Sequence, residues 1–179
     1  MTISILAVSG SLRKESTNTR LLQEVEKLAG PGISFRLFDG VENLPHFNPD
    51  KETSLDEHTA NWIQQVHEAD ALIVASPEYA HGIPGAFKNA LDWLVGTDAF
   101  IGKPFCLYRA CPRPEFAPEA LLEVLRTMSG LHVIDSDVTI DLGRDYATSH
   151  KVLEKDESRE KILDSIKYLY EFIIKQRIN

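Results

Sequence analysis

Polar and cationic side chains are concentrated in the segment Ser9–Thr19, which follows an apolar stretch and precedes apolar positions at helical spacing. Its neutral polar residues are Ser9, Ser11, Ser16, Thr17, Asn18 and Thr19, and its charged residues, with the adjacent Arg20, are Arg13, Lys14, Glu15 and Arg20. Three cations and one carboxylate leave a local charge of +2 in a chain of net charge −8. At the start of a helix, where backbone N–H groups and the positive end of the dipole are free, such a loop suits a doubly charged phosphate.

The positions of the glycines narrow the type of phosphate ligand that this loop could bind. The loop matches neither G-x-x-x-x-G-K-[ST], which is typical of nucleoside triphosphatases, nor G-x-G-x-x-G, which packs a dinucleotide against bare backbone. Hydroxyl groups in place of glycines favour a terminal monophosphate that is wrapped by side-chain donors. A polar capping loop without a ligand is the alternative that this segment alone leaves open.

A second candidate loop, Ser76–Trp93, follows the third apolar strand-like stretch. It has few charges, and it contains a tyrosine, prolines and a glycine that lets backbone approach a ligand: Tyr79, Pro77, Pro84 and Gly82. These residue types favour a flat aromatic heterocycle that is held by main-chain N–H groups. If the first and third strands are neighbours, both loops line one crevice. A phosphate site beside a flat-ring site then points to flavin mononucleotide (FMN).

The two loops require a scaffold of alternating strands and helices. The strand candidates are Ile3–Val8, Ser34–Phe38, Ala71–Ala75, Phe105–Tyr108 and His132–Asp135. Helical spacing of apolar residues predicts five helices around residues 21–29, 55–66, 84–95, 121–128 and 162–173. This alternation predicts a single α/β domain over residues 1–179, with a doubly wound five-stranded parallel sheet in the flavodoxin-like order 2-1-3-4-5 and helices on both faces.

Local signals add detail to this scaffold. Gly30 is predicted to end the first helix as its C-cap, and Ser54 with Glu57 is predicted to form a capping box at the second. The segments Gly40–Glu52 and Asp141–Asp156 are predicted to be the longest loops.

Composition excludes several classes of function. The chain has 179 residues, and its net charge of −8 without basic blocks argues against a nucleic-acid partner. No apolar run reaches the length that spans a bilayer, and the first residues lack signal-peptide features, so we expect a cytoplasmic protein without a membrane partner. Cys106 and Cys111 form no disulfide framework or zinc motif, and the histidines form no metal motif, so no metal site is expected.

Two long motifs carry a resemblance to a known family. The first loop reads GSLRKxSxN and the second reads SPEYxHGIPGAxKNALDWL. Together they resemble the NAD(P)H-dependent FMN reductase family, which includes bacterial chromate and quinone reductases. The match lies mainly within residues 3–95, and the order and spacing of the two motifs agree with those of the family.

The resemblance implies a role for each matching position. The predicted cofactor-binding residues of the first loop, on its phosphate side, are Ser9, Ser11, Arg13, Ser16, Asn18 and Thr19. Those around the isoalloxazine ring and ribityl chain are Pro77, Glu78, Tyr79, His81 and Gly82. For Asn89, Asp92 and Trp93, helix packing or a dimer contact is as good an interpretation as ligand contact. No catalytic side chain is required, because the flavin performs the chemistry.

The loop after the fourth strand departs from the family pattern. Family members usually have a Gly/Ser-rich loop there, whereas Arg109–Pro118 is rich in proline and no glycine lies between Gly102 and Gly130. A stiffer loop with fewer N–H donors is expected to approach the flavin ring less closely. Arg109 and Arg113 are candidates for an anionic substrate or the 2′-phosphate of NADPH, with solvated surface arginines as the alternative.

The expected activity is that of an NAD(P)H-dependent flavin oxidoreductase. FMN is the expected cofactor, and NADPH or NADH the co-substrate. A ping-pong mechanism is expected to deliver electrons to a small acceptor such as a quinone, free flavin, azo compound or metal oxyanion. A flavodoxin-like electron carrier that docks to a protein redox partner is the first alternative, and a binding protein without flavin is the second. The resemblance also implies a homodimer or a tetramer.

Overall fold

The central strands of the sheet come from the most apolar stretches of the sequence. β1 (Ile3–Ser9) and β3 (Ala71–Ala75) are buried along almost their whole length, as expected for parallel strands covered on both faces. The computed structural model describes residues 2–113, 116–143 and 146–178. In it, β1 pairs in parallel with β2 (Ile33–Phe38) and β3, and β3 pairs in parallel with β4 (Pro104–Arg109).

The strand order places the two candidate loops side by side. The order is β2-β1-β3-β4-β5, in which β5 (Leu131–His132) lies parallel to β4. This order confirms the predicted flavodoxin-like, doubly wound fold. It reverses between β1 and β3, so the loops after these two strands meet at the carboxyl edge of the sheet.

The predicted fifth strand, His132–Asp135, is wrong in its extent. The segment is divided into β5, a 3-10 turn over Ile134–Ser136 and a short strand β6 (Val138–Thr139), which pairs with the end of β4. Between the two short strands, Asp137 Oδ1 accepts a 2.7 Å hydrogen bond from the amide of Leu107 in β4. A side-chain carboxylate thus replaces a strand carbonyl in the ladder, which an apolar pattern cannot reveal.

Helices cover both faces of the sheet, as predicted. They are α1 (Thr17–Leu28), α2 (Glu57–Glu68), α3 (Gly85–Val95), α4 (Phe116–Thr127), α5 (Tyr146–Leu153) and α6 (Asp156–Ile178). One core layer contains Leu22 of α1 and Leu169 of α6, and the other contains Trp62 of α2, Phe87 of α3 and Leu121 of α4. Within the described ranges, no helix combines the length and apolarity needed to cross a membrane.

Two predicted helix caps are wrong. Asp56, not the pair Ser54 and Glu57, caps α2: Asp56 Oδ1 accepts from the amides of His58 at 3.0 Å and Thr59 at 3.2 Å. Asp56 lies at the residue where the backbone turns into the helix, so its carboxylate reaches both amides, whereas Ser54 lies two residues too early. α1 ends with Ala29 as the C-cap, one residue before the predicted Gly30.

The two long segments predicted as loops contain more structure than expected. Gly40–Glu52 includes two 3-10 turns, and Asp141–Asp156 includes α5. α5 has few apolar residues and buries Ser149 and Leu153, so the apolar spacing that indicates a helix is weak. Residues 144 and 145 of the second segment lie outside the described residues.

Candidate functional site

A cavity of about 330 Å³ opens at the carboxyl edge of the sheet, between the loops that follow β1, β3 and β4. The first loop contributes Ser11, Arg13, Glu15, Ser16, Thr17 and Asn18, and the second contributes Ser76, Pro77, Glu78 and Tyr79. The remaining lining residues are Arg109, Ala110, Cys111, Pro118 and Gly143. We call this space the main cavity. It lies where ligands bind in open α/β sheets, at the point of strand-order reversal.

The N-terminus of α1 forms one end of the main cavity. Ser16 is the N-cap, and its Oγ accepts a 3.3 Å hydrogen bond from the amide of Thr19. In the described part of the chain, no acceptor takes the amides of Thr17 and Asn18, which open this helix. Arg13 lies in the same lining. Two amides without an acceptor, the positive end of the helix dipole and an arginine therefore border the same cavity, a combination that suits an anion.

Not all the hydroxyls of the first loop face the main cavity. Thr19 Oγ1 donates to Ser9 Oγ at 2.8 Å, and the amide of Ser11 also donates to Ser9 Oγ at 3.3 Å. Ser9 and Thr19 line a second, smaller cavity of about 170 Å³ on the β2 side of the loop. Of the six predicted phosphate residues, the structure thus brings Ser11, Arg13, Ser16 and Asn18 to the main cavity, while Ser9 and Thr19 bond to each other behind them.

Gly10 allows the first two loops to meet. Its amide donates a 2.8 Å hydrogen bond to the carbonyl of Ala75 at the end of β3. A Cβ atom at position 10 would lie 2.5 Å from Ser76 Oγ and 2.9 Å from the Phe87 ring, closer than real contacts allow. Glycine is therefore required here by the close approach of the two chain segments rather than by its dihedral angles.

A tight turn shapes the second loop. Tyr79 and Gly82 exchange two backbone hydrogen bonds, of 3.1 and 3.0 Å, around Ala80 and His81. Both of these central residues have positive φ, 50° and 61°, as in a type I′ turn. The turn holds Tyr79 in the lining of the main cavity with 56% of its surface exposed. Gly82 does not line the cavity, but its backbone closes the turn that holds Tyr79 there.

Glu78 makes contacts that the sequence does not indicate. Its Oε2 accepts hydrogen bonds from the amides of Phe116 at 3.0 Å and Ala117 at 2.8 Å. These amides begin α4, so a carboxylate from the second loop caps the helix that follows β4. His81 is exposed and does not line the main cavity; its Nδ1 lies 3.5 Å from Glu78 Oε1 and its ring packs edge-on against Phe116.

The segment after β4 borders the main cavity despite its prolines. Arg109, Ala110, Cys111 and Pro118 all contribute to the lining, and the expectation that this segment approaches the flavin ring less closely stays a prediction. Arg113 is exposed and is not part of the lining, whereas Pro114 and Glu115 lie outside the described residues. The carbonyl of Arg109 accepts from the amide of Ile140 at 2.9 Å, which fixes this residue at the edge of the sheet.

Comparison with known proteins agrees with this geometry. The family model described as NADPH-dependent FMN reductase matches residues 3–145, well over half of the chain and all three loops of the main cavity. The chain belongs to the NADPH-dependent FMN reductase family.

Two relatives and one solved structure illustrate what this chain is similar to. A 2-hydroxy-1,4-benzoquinone reductase from a Burkholderia species is 36% identical over 107 residues, which are 58% of each chain. An NAD(P)H-dependent FMN reductase from Pseudomonas aeruginosa is 37% identical over 111 residues, which are 60% of each chain. Our chain therefore matches less than two thirds of the length of either relative. The solved structure of FerB, a flavoenzyme NAD(P)H:(acceptor) oxidoreductase from Paracoccus denitrificans, has a TM-score of 0.68 at 26% identity and covers 97% of this chain and 94% of its own.

Several motif residues of this FMN reductase family member are structural. Asn89 Nδ2 donates to the carbonyl of Pro45 at 2.9 Å, and Asn89 Oδ1 accepts from the amide of Phe47 at 2.7 Å. Trp93 Nε1 donates to the same Pro45 carbonyl at 2.8 Å. Asp92 pairs with Lys88 one turn earlier. Of the two interpretations of these motif residues, the contacts favour helix packing over ligand binding.

Other lining residues were missed by sequence reasoning. Glu15, Ser76 and Gly143 line the main cavity but were not predicted as site residues, and Thr17 was named only among the hydroxyls of the first loop. For Thr17 and Ser76 a signal existed, since Thr17 opens the helix after the first loop and Ser76 directly follows β3. Gly143 lies far along the chain, in a segment without a motif, so nothing in the sequence could have indicated it.

The two cysteines have different surroundings, and neither is in a disulfide. Cys106 is fully buried in β4, and burial, with a smaller effect of the Asp137 carboxylate, raises the pKa of its thiol well above the ordinary value. Cys111 is half-buried in the lining of the main cavity. Among the described residues, no group of three or more His, Cys, Asp or Glu side chains is arranged to hold a metal ion.

Proposed function

We propose that this protein is an NAD(P)H-dependent flavin oxidoreductase that binds FMN in the main cavity. The observation that carries the proposal is the N-terminus of α1, whose amides at Thr17 and Asn18 open into the same cavity as Arg13 and Tyr79. The volume, about 330 Å³, is within the range of small-molecule sites. Bound FMN would supply the redox chemistry, accepting a hydride from NAD(P)H and passing electrons to a second substrate.

The phosphate end of the ligand is assigned to the first loop. The amides of Thr17 and Asn18 would donate to phosphate oxygens, and the hydroxyls of Ser11 and Ser16 lie in the same lining. Arg13 adds a positive charge at this end. Because charge-assisted hydrogen bonds are roughly twice as strong as neutral ones, this end would supply much of the affinity.

The ring end is assigned to the second loop and the segment after β4. Pro77 and Tyr79 present apolar and aromatic surface, and Ala110 lines the same cavity from the segment after β4. Arg109 brings a guanidinium group to this part of the lining. A fixed positive charge there would favour a ligand that becomes more negative on reduction.

The acceptor is proposed to be a small molecule. Tyr79 is largely exposed at the main cavity, so substrates can reach this side from solvent. If one open face serves both substrates in turn, ping-pong kinetics follow. Among quinones, free flavins, azo compounds and metal oxyanions, the relative named as a benzoquinone reductase favours a quinone. We further propose a homodimer, to be checked by light scattering, for which a monomeric mass would be contrary evidence.

The test is the visible absorption spectrum of the purified protein, with FMN added if it is colourless, before and after anaerobic addition of NADPH and then NADH. A bound-flavin spectrum that bleaches supports the proposal. Bound flavin that stays oxidised with both nucleotides favours the electron carrier. Protein that takes up no flavin would contradict the assignment of the main cavity.

A further inference from the structure

The N-terminus of α4 is occupied by a carboxylate from another part of the chain. Glu78 Oε2 lies 3.0 Å from the amide nitrogen of Phe116 and 2.8 Å from that of Ala117, across 38 and 39 residues of sequence. A negatively charged acceptor at a helix N-terminus is stabilised both by the hydrogen bonds and by the helix dipole. The Glu78 side chain is only 17% exposed, so water competes weakly for these bonds.

A second contact joins the same two segments. The His81 and Phe116 rings pack edge to face, with centroids 4.5 Å apart and planes at 84°. His81 Nδ1 lies 3.5 Å from the other carboxylate oxygen of Glu78. The second loop is thus fastened to the start of α4 through both the carboxylate and an aromatic pair. We call the contacts of Glu78, His81 and Phe116 the latch.

The latch joins two segments that line the main cavity at the end assigned to the ring. Glu78 and Tyr79 line it from the second loop, while Cys111 and Pro118, on either side of the start of α4, line it from the other side. The separation of these two walls therefore depends on how α4 is held. The phosphate end is built separately, from the first loop and α1.

We propose that Glu78 is a positioning residue that sets the spacing of the ring end through α4, instead of contacting the flavin with its carboxylate. This inference rests on the proposed FMN site. Oε2 of Glu78 is already bonded to two amides and Oε1 lies 3.5 Å from His81 Nδ1, so both carboxylate oxygens contact the start of α4 or the second loop itself. Loss of the carboxylate would loosen the ring end and leave the phosphate end intact.

The test separates the two ends by comparing FMN with riboflavin, which lacks the phosphate. Glu78→Ala should weaken both ligands by the same factor, about tenfold, because the lost contacts concern only the ring end. Glu78→Gln keeps an acceptor oxygen without the charge and should weaken both by about threefold. Glu119→Gln is the matched control, since it removes an exposed carboxylate from the first turn of the same helix and should leave both affinities unchanged.

A second measurement needs no ligand. In flavin-free protein, the amides of Phe116 and Ala117 should exchange hydrogen faster in Glu78→Ala than in the wild type, by about tenfold, because their acceptor is gone. Glu78→Gln should lie between the two, and Glu119→Gln should match the wild type. Exchange measured by NMR also reports whether each variant remains folded.

The outcomes are distinct. Faster exchange with equal losses of FMN and riboflavin affinity supports the positioning role. Lower flavin affinity with unchanged exchange would mean that Glu78 touches the ligand directly, and faster exchange with unchanged affinity would reduce the latch to a helix cap; either result overturns the inference. If the wild type binds neither flavin, the proposed function fails and the positioning role fails with it.

Discussion

Two helices begin at the same edge of the sheet, and their N-termini are capped in different ways. α1 is capped by the neutral hydroxyl of Ser16, a residue of its own loop, and leaves two amides open to the main cavity. α4 receives the carboxylate of Glu78 from a different loop, so its first amides are bonded and its dipole is matched by a built-in charge. The comparison teaches that a helix N-terminus becomes an anion site only where the chain does not supply the anion itself.

The largest effect is expected from placing a carboxylate at the N-terminus of α1, as Glu78 does at that of α4. Ser11→Asp places a carboxylate in the lining beside the open amides, so it should occupy or repel the phosphate position. We expect FMN affinity to fall by about 100-fold or more, since like charges in contact cost several kcal/mol. Fluorescence titration measures the loss, and urea unfolding should show a folded domain. Unchanged affinity, or an equal loss in the exposed control Ser54→Asp, would refute the phosphate assignment.

The next largest effect is expected from separating the loops that form the cavity. Gly10→Ala forces a Cβ atom against Ser76 and Phe87, so the protein should lose about 1–3 kcal/mol of unfolding free energy, together with FMN affinity. Gly30→Ala is the matched control, because no atom lies within 4 Å of its added Cβ and its φ is not positive. Chemical denaturation of both variants checks this, and similar stabilities would argue against the close approach at Gly10.

Removing the cap of α1 should have a smaller effect on stability. Ser16→Ala and Asp56→Ala each delete an N-cap and should each cost about 1 kcal/mol of unfolding free energy. Only Ser16→Ala should weaken FMN, by about threefold to tenfold, because Asp56 caps a helix outside the main cavity. Equal FMN affinities in the two variants would remove Ser16 from the site.

The two caps should also differ in acid. The hydrogen bond from the Thr59 hydroxyl lowers the pKa of Asp56 below its ordinary value. Its contribution to stability is therefore fully present above the ordinary pKa and is lost as the pH falls through the lowered one. The stability difference between wild type and Asp56→Ala should shrink in acid, whereas that for Ser16→Ala should persist. Unfolding curves at neutral and acidic pH measure both differences.

The smallest expected effect concerns the turn that presents Tyr79 and Glu78. Ala80 has a φ of 50°, which asparagine adopts more readily than alanine. Ala80→Asn should therefore stabilise the domain by roughly 0.5 kcal/mol. The same exchange at exposed Ala60, inside α2, should destabilise it by a similar amount because asparagine is a poorer helix former. Opposite signs in thermal unfolding would support the turn geometry, and a loss at both positions would contradict it.

Much of the scaffold could be predicted because local signals agree with the fold. Nearly continuous apolar runs at Ile3–Val8 and Ala71–Ala75 indicated central strands, and the polar loop after the first strand indicated the open end of α1. The strand order and the meeting of two loops follow from general rules for α/β sheets. Four of the predicted phosphate-side residues accordingly lie in the main cavity, although their contact with a phosphate stays a prediction.

What could not be predicted depends on contacts between distant segments. The capping of Phe116 and Ala117 by Glu78 joins parts of the chain almost forty residues apart, and no motif records it. Ser9 and Thr19 have the right chemistry for a phosphate, but their hydroxyls bond to each other at 2.8 Å. Asp56 rather than Ser54 caps α2 because the backbone turns into the helix at Asp56. Both residues are polar, so the sequence does not show at which of them the backbone turns.

The broken outer strand next to β4 has a consequence for how the molecule behaves at high concentration. An exposed sheet edge offers a row of unpaired backbone groups to which another chain can add, and this is a route to aggregation. Here the outermost strand is cut into two-residue pieces, β5 and β6, by a 3-10 turn. The Asp137 carboxylate between them already satisfies the amide of Leu107. Such a short, interrupted edge gives an incoming strand no continuous template, so this border of the sheet protects the protein from self-association through strand addition.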